Sequence, residues 1–362
     1  MRLDGLARDR AWLPSDHPEF PDAVAALSDL YNTVERVAFG LPDRLAAAQL
    51  GFFLPRDVPK AAAAVTALID AGRVPDRPLR LLDLGAGMGA MTLGVARALR
   101  AAGVQSPVHA TLLDRDPDAL SIAAWLAGLI PGLSVETGPG DGTAVPLGER
   151  YDLVLVGHAL AGLDADAPEP ERVSRQVGRI TGWLDDLVAD DGALVLVASA
   201  SREPTRHLHR VHDGLLAAGR RPFSPCTHAG ACPMLARDAD WCHERLDVPL
   251  PAWLAPIARA ARLRSEGSTF SHLVLTADNA GSGGLRVVSE PLPSKGRHDL
   301  WLCGEFPDGP GRKKVGRLDR HASPANALFA TLSRGDSVTL DPAGDRVGPD
   351  TTVRPWSPLE PS

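Results

Sequence analysis

The chain has 362 residues, of which 44% are hydrophobic and 23% charged, with a net charge of −7 and four cysteines. That length and apolar content suit a globular protein of roughly two domains. The acidic balance excludes a strong overall attraction to nucleic acid or anionic lipid, and no apolar run approaches the roughly 18 to 20 residues that a membrane span requires.

The opening MRLDGLARDRAWLPSDH carries no apolar signal core before its charges and prolines, so a cytoplasmic setting is expected. In that setting, clustered cysteines point toward metal rather than structural disulfides. Residues 1–77 read as a helical segment: AVAALSDLYNTVERVAFGL and PRDVPKAAAAVTALIDAG repeat apolar positions at three- and four-residue spacing, the second stopping at Gly72. From Pro78 to about residue 224, short apolar strands alternate with amphipathic helices, the pattern of a parallel sheet covered on both faces. Strands are expected near 79–84, 108–113, 133–137, 151–157 and 192–199. Helices are expected near 90–102, 117–129, 170–189 and 204–218, the second of these capped by Asp116 with Pro117 in its first turn. A Pro- and Cys-containing insertion spans 225–267, and 268–362 returns to strands at FSHLVLTA, LRVVSE and HDLWLCGEF before a β-rich tail.

In LRLLDLGAGMGAMTLGVARAL a strand ends in Asp83, and Gly85, Gly87 and Gly89 turn tightly into a helix. Backbone N–H groups then face a ligand at the strand's carboxyl end. The G-A-G-M-G spacing is tighter than the dinucleotide fingerprint. It resembles the first motif of S-adenosylmethionine-dependent methyltransferases with a Rossmann-like sheet. That resemblance implies donor binding by Asp83, Gly85, Gly87 and Gly89. It further implies that Asp114, ending HATLLD, holds the ribose hydroxyls and that Asp141 in PGDG lies beside the adenine amine. His158, after YDLVLVG, stands where the methyl group would meet its acceptor and is a candidate general base. The Asn/Asp-Pro-Pro-aromatic segment of amino-group methyltransferases is absent there, as is the cysteine nucleophile that carbon-5 methylation of cytosine needs.

Cys226, Cys232 and Cys242 follow C-x5-C-x9-C, with Cys303 far downstream. Paired short knuckles, usual in zinc sites, are missing. Cubane clusters tolerate irregular spacing, so the spacing leaves both open, with His228 and His243 as substitute zinc ligands. LLDLGAGMG, PCTHAGACP, DWCHERL and LWLCGEF together resemble the methyltransferase-like small-ribosomal-subunit assembly family of bacteria and mitochondria. Thr227 stands where that family commonly has proline. The resemblance implies a Rossmann-like class I methyltransferase sheet carrying a metal-binding insertion, with a 4Fe-4S cluster on Cys226, Cys232, Cys242 and Cys303. It also implies a partner in the small ribosomal subunit or its RNA, met through the basic run Arg312, Lys313, Lys314, Arg317 and Arg320 with Arg286, Lys295 and Arg297 upstream. The competing reading is an active methyltransferase on a small molecule or protein, with structural zinc.

Overall fold

A computed structural model of the chain describes residues 19–32, 41–140, 148–247, 251–281 and 283–356. Helix α1 (Phe20–Asn32) is followed by α2 (Asp43–Ala48), which runs through a π-helical stretch, Gln49–Phe53, into α3 (Leu54–Asp70). Such π turns displace side chains from helical register and are common at functional sites. Here Phe52, Phe53 and Tyr31 form an edge-on aromatic cluster, with ring centroids 5.2 and 5.3 Å apart for the two pairs. The expected single helix from Ala23 to Leu41 is described only as far as Asn32.

The alternating part follows as β1 (Leu79–Leu84), α4 (Ala90–Ala101), β2 (Val108–Asp114), α5 (Pro117–Ala127), β3 (Leu133–Pro139), β4 (Tyr151–Gly157), α6 (Glu169–Asp186), β5 (Val188–Ser199) and α7 (Arg202–Ala217). Asp116 caps α5 as its sequence predicts: its Oδ1 accepts from the N–H groups of Asp118 and Ala119 at 2.9 and 3.1 Å. β5 begins four residues before the expected start, because Val188 pairs with Tyr151 of β4; residues 189–192 bulge out before pairing resumes at Ala193 opposite Leu153.

Beyond α7 come short strands β6 (Pro222–Ser224) and β7 (Glu244–Leu246), helix α8 (Leu254–Ala260) and strand β8 (Ser268–Thr276). The first sheet runs β3-β2-β1-β4-β5-β8-β6, with β7 also on β8. β1 to β5 are parallel, whereas β8 lies antiparallel between β5 and β6. Strand order reverses beside β1, which opens a crevice at the carboxyl ends of β1 and β4, the usual ligand position of open α/β sheets. One face packs on α1, α3, α4 and α5, the other on α6 and α7. Leu194, Val195 and Val154 are fully buried between them, each stabilising the fold by roughly 1.5 to 3 kcal/mol. Gly94 lets α4 approach α3 closely, since a Cβ there would stand 2.4 Å from the carbonyl oxygen of Val58.

The second sheet comprises β9 (Leu285–Val287), β10 (Leu292–Ser294), β11 (Arg297–Phe306), β12 (Gly309–Leu318), β13 (Ser337–Asp341), β14 (Arg346–Val347) and β15 (Thr352–Pro355). Its order is β14-β12-β11-β9-β13-β15, with β10 on β11. It has its own core around Leu300, Leu302, Val315 and Phe329.

Candidate functional site

The crevice at the switch point is the mouth of a cavity of about 1030 Å³, lined on the sheet side by Gly85, Gly87, Asp114, Gly140 and His158. Gly85 and Gly87 have φ of 71° and 51°, the left-handed region that glycine adopts without a steric penalty. At Gly85 a Cβ would also stand 2.7 Å from the Cβ of Ala159. Gly89 is different: it is absent from the cavity wall and allows α4 to pack on Ala123, 3.1 Å from where its Cβ would be.

Asp114 reaches back to the turn. Its Oδ2 accepts from the N–H of Gly87 at 2.7 Å and its Oδ1 from the N–H of Asp116 at 2.9 Å. A carboxylate offers about four lone-pair sites, so it retains capacity for a ligand's hydroxyl donors from the cavity wall. Asp83 stands behind the turn rather than in the cavity. It is fully buried, and its Oδ2 accepts from the N–H and hydroxyl of Thr92 at 3.2 and 2.7 Å, bracing the start of α4. Its Oδ1 is buried and has no hydrogen-bond partner among the described residues. Burial pushes its carboxyl from 3.8 to about 7 against the pull of the Thr92 bonds, with nearby Asp114 adding to the rise. Asp141 lies outside the described residues.

The periodicity of the sequence does not reveal that the N-terminal segment roofs this cavity. Tyr31, Phe52, Phe53, Asp57 and Lys60 line it opposite the sheet. Asp57 and Lys60 sit one turn apart in α3 and pair at 2.6 Å. The charged i, i+3 couple in PRDVPK is the one signal the sequence offers. His158, at the end of β4, places Nε2 3.7 Å from Asp57 Oδ1.

The four cysteines converge from four segments. Cys226 follows β6, Cys232 precedes a 3₁₀ turn at Pro233–Ala236, Cys242 precedes β7, and Cys303 lies on β11. None is in a disulfide, and all are half-buried. Burial raises every thiol, Cys232 to about 12 and Cys242 to about 11. The thiols also sense one another: Cys226 is raised further by Cys232, Cys303 and Cys242, and Cys303 by Cys242 and Cys232. Cys303 pairs in register with Arg286 on one side and Arg312 on the other, and both guanidinium groups oppose that rise. Among the described residues, no three His, Cys, Asp or Glu side chains stand at the spacing that holds a single metal ion. His228 reaches Cys303 Sγ at 3.5 Å through Nε2.

Helix α7 builds the loop that carries two of these thiols. The buried guanidinium of Arg206 donates from Nη1 to the carbonyls of Met234, Arg237 and Asp240 at 3.0, 2.8 and 2.8 Å. Asp213 accepts from the N–H of Cys232 at 2.8 Å, and Trp241 donates to the carbonyl of Ala200 at 3.0 Å. Composition and spacing gave no sign of Arg206.

Arg312 to Arg317 of the basic run lie on β12, and their side chains do not share a face. Strand alternation turns Arg312 and Lys314 to the side of Cys303, with Arg312 stacked on Trp301 at 4.2 Å. Lys313 and Arg317 turn to the opposite side. There Arg317 is buried and donates to the carbonyl and side-chain oxygens of Asn326, and Lys313 pairs with Asp308. Arg320, Lys295 and Arg297 are exposed.

The doubly wound sheet, the reversed β8 and the glycine crevice at the switch point define an α/β protein with a Rossmann-like methyltransferase fold. Residues 53–315 match the family described as mitochondrial small ribosomal subunit Rsm22. The chain belongs to that family. No curated protein matches it. Similar solved structures include the plantazolicin methyltransferase BpumL with SAH, 9% identical, covering 75% of this chain and 99% of that one with a TM-score of 0.39. A putative class I S-adenosylmethionine-dependent methyltransferase from Listeria monocytogenes is 14% identical, over 75% and 85% of the two chains, with a TM-score of 0.37. A putative RNA methyltransferase from Pyrococcus horikoshii is 13% identical, over 70% and 97%, with a TM-score of 0.34.

Proposed function

We propose that this protein binds S-adenosylmethionine in the switch-point crevice and a 4Fe-4S cluster on Cys226, Cys232, Cys242 and Cys303, and acts on the small ribosomal subunit during its assembly. The observation that carries this reading is that four unbridged, half-buried thiols from four segments lie near enough to raise one another, with Arg286 and Arg312 in register beside Cys303. Four thiolates on an iron–sulfur cube carry net negative charge, and two arginines in register with Cys303 offset the cost of burying it. The donor set therefore fits the cluster in its chemistry. When bound, the cluster supplies a cross-link between the insertion and β11, and its binding energy becomes folding energy.

For the donor, the supporting features are the glycine turn and Asp114 on the cavity wall. Gly85 and Gly87 bring backbone close to the ligand, and Asp114 would hold the ribose hydroxyls. Gly89 and Asp83 would act from behind, one seating α4 and the other bracing it.

The partner would be met by the outer cations of the second sheet. Lys295, Arg297, Lys314, Arg320 and Arg346 are exposed beside β11 and β12, so phosphates reach them while the acidic remainder is repelled. The family's description is mitochondrial, so the cytoplasmic setting expected from the sequence is not confirmed. Replacing Lys295, Arg297, Lys314 and Arg320 together by Gln should abolish cosedimentation with small ribosomal subunits at moderate salt, with the cluster spectrum intact. Undiminished cosedimentation would remove this surface from the account.

A further inference from the structure

We propose that His158 is the general base of a methyl transfer and that the acceptor is a nitrogen or oxygen still carrying its proton. The inference rests on the donor-binding reading of the same cavity and adds the acceptor's chemical class and the partner that orients the base.

The geometry begins with the backbone. His158 has φ of 59°, left-handed and uncommon for a residue with a Cβ. Its N–H donates to the carbonyl of Val197 at 2.7 Å, which fixes the turn at the end of β4. Residues kept in such conformations cluster at functional sites, because the surrounding structure must bear the cost. The consequence here is an imidazole on the cavity wall at the switch point, with about a third of its side chain exposed.

Across the cavity the roof supplies Asp57, whose side chain is 18% exposed. Burial works against its charge, yet Lys60, His158 and Arg56 hold the carboxyl below its usual range. It is therefore an anion at neutral pH. Burial lowers His158 while Asp57 opposes and Lys60 assists that change, a direction that favours the neutral imidazole, the form able to accept a proton. The charged groups facing His158 are Asp57 and Lys60 of α3, and Tyr31 of α1, which senses the charge of Asp57, lines the same cavity. Since Nε2 is the nitrogen on the Asp57 side, Nδ1 is left for the substrate. The 3.7 Å separation is of the loose kind that tightens once substrate or charge arrives.

The chemistry balances without another reagent. When bound, the donor supplies an electrophilic methyl carbon. The acceptor's lone pair forms the new bond to that carbon, and the carbon–sulfur pair remains on sulfur, which becomes a neutral thioether. Nδ1 of His158 takes the proton that the acceptor must lose, Asp57 stabilises the imidazolium, and solvent removes the proton afterwards. No cysteine lines the cavity among the described residues, so a thiolate-activated ring carbon is the less suited acceptor.

The test uses the full-length protein with its metal centre intact. Three quantities are followed: the imidazole titration of His158 by NMR, SAH affinity by calorimetry, and transfer of labelled methyl from S-adenosylmethionine to purified small ribosomal subunits. Transfer should rise with pH along the NMR midpoint of His158. Asp57→Asn should move both midpoints down together, and His158→Gln should cut transfer at least 100-fold, the low end of general-base effects, while SAH affinity stays within twofold. SAH binding without any transfer by the wild type overturns the general-base assignment and leaves the donor reading standing; no SAH binding removes both. A tenfold loss of SAH affinity in either variant would make the pair a donor-binding element and overturn the proposal.

Discussion

Asp83→Asn removes a charge that the fold is strained to bury, and its effect on stability can be worked out from the site. The carboxyl rises from 3.8 to about 7 on folding, chiefly through burial. Between those values the folded chain keeps the proton that the unfolded chain has released. The unfolded state therefore binds fewer protons, and stability falls as pH rises through this window. Roughly three pH units at about 1.4 kcal/mol each set an upper bound near 4 kcal/mol. Asn carries no such cost, and its oxygen can keep the Thr92 bonds. Its amide nitrogen, however, takes the place of an oxygen that is buried without a partner, a penalty of about 1 to 3 kcal/mol. The expected net result is a variant more stable than wild type by roughly 1 to 3 kcal/mol at pH 8, with the advantage growing from pH 5 to 7 and flat above. Urea denaturation followed by circular dichroism at four pH values measures this. A difference independent of pH, or a variant less stable at pH 8, would refute the reasoning.

Asp114→Ala should weaken SAH binding by roughly 1.5 to 3 kcal/mol, the scale of a hydrogen bond to a charged group; calorimetry with unchanged affinity would exclude Asp114 from the donor site. Arg206→Met removes the donor to three main-chain carbonyls and should lower stability by about 3 kcal/mol. Hydrogen exchange should then speed up at the amides of residues 233 to 240 while β1 to β5 stay protected, and uniform exchange across the chain would show that the clamp is not local.

The parallel half of the fold was legible because its signals are local. β1 is an apolar run ended by D-L-G-A-G, α5 carries its own cap at Asp116, and β4 is buried along almost its whole length. What escaped depends on distant contacts. FSHLVLT reads as a strand, but its antiparallel place between β5 and β6 is set by pairing across 71 to 83 residues with β5 and 50 to 53 with β6, which periodicity does not encode. β6 and β7 are three residues each, within a Pro- and Cys-containing stretch too short to show alternation. The Asp57–His158 approach joins α3 to β4 across 100 residues. The glycine turn was legible as a turn, yet the division of labour within it was not. Gly85 and Gly87 face the cavity, whereas Gly89 and Asp83 serve α4. RKKVGR was legible as a basic run, but pairing with β11 divides it between two faces and buries Arg317.

The most direct measurement is metal and acid-labile sulfide analysis of protein purified without oxygen from iron-replete cells, with a visible spectrum. The account predicts brown protein with about four iron and four sulfide per chain, with colour and stability lost together when any one of Cys226, Cys232, Cys242 or Cys303 becomes Ser. One zinc per chain with no sulfide would contradict it.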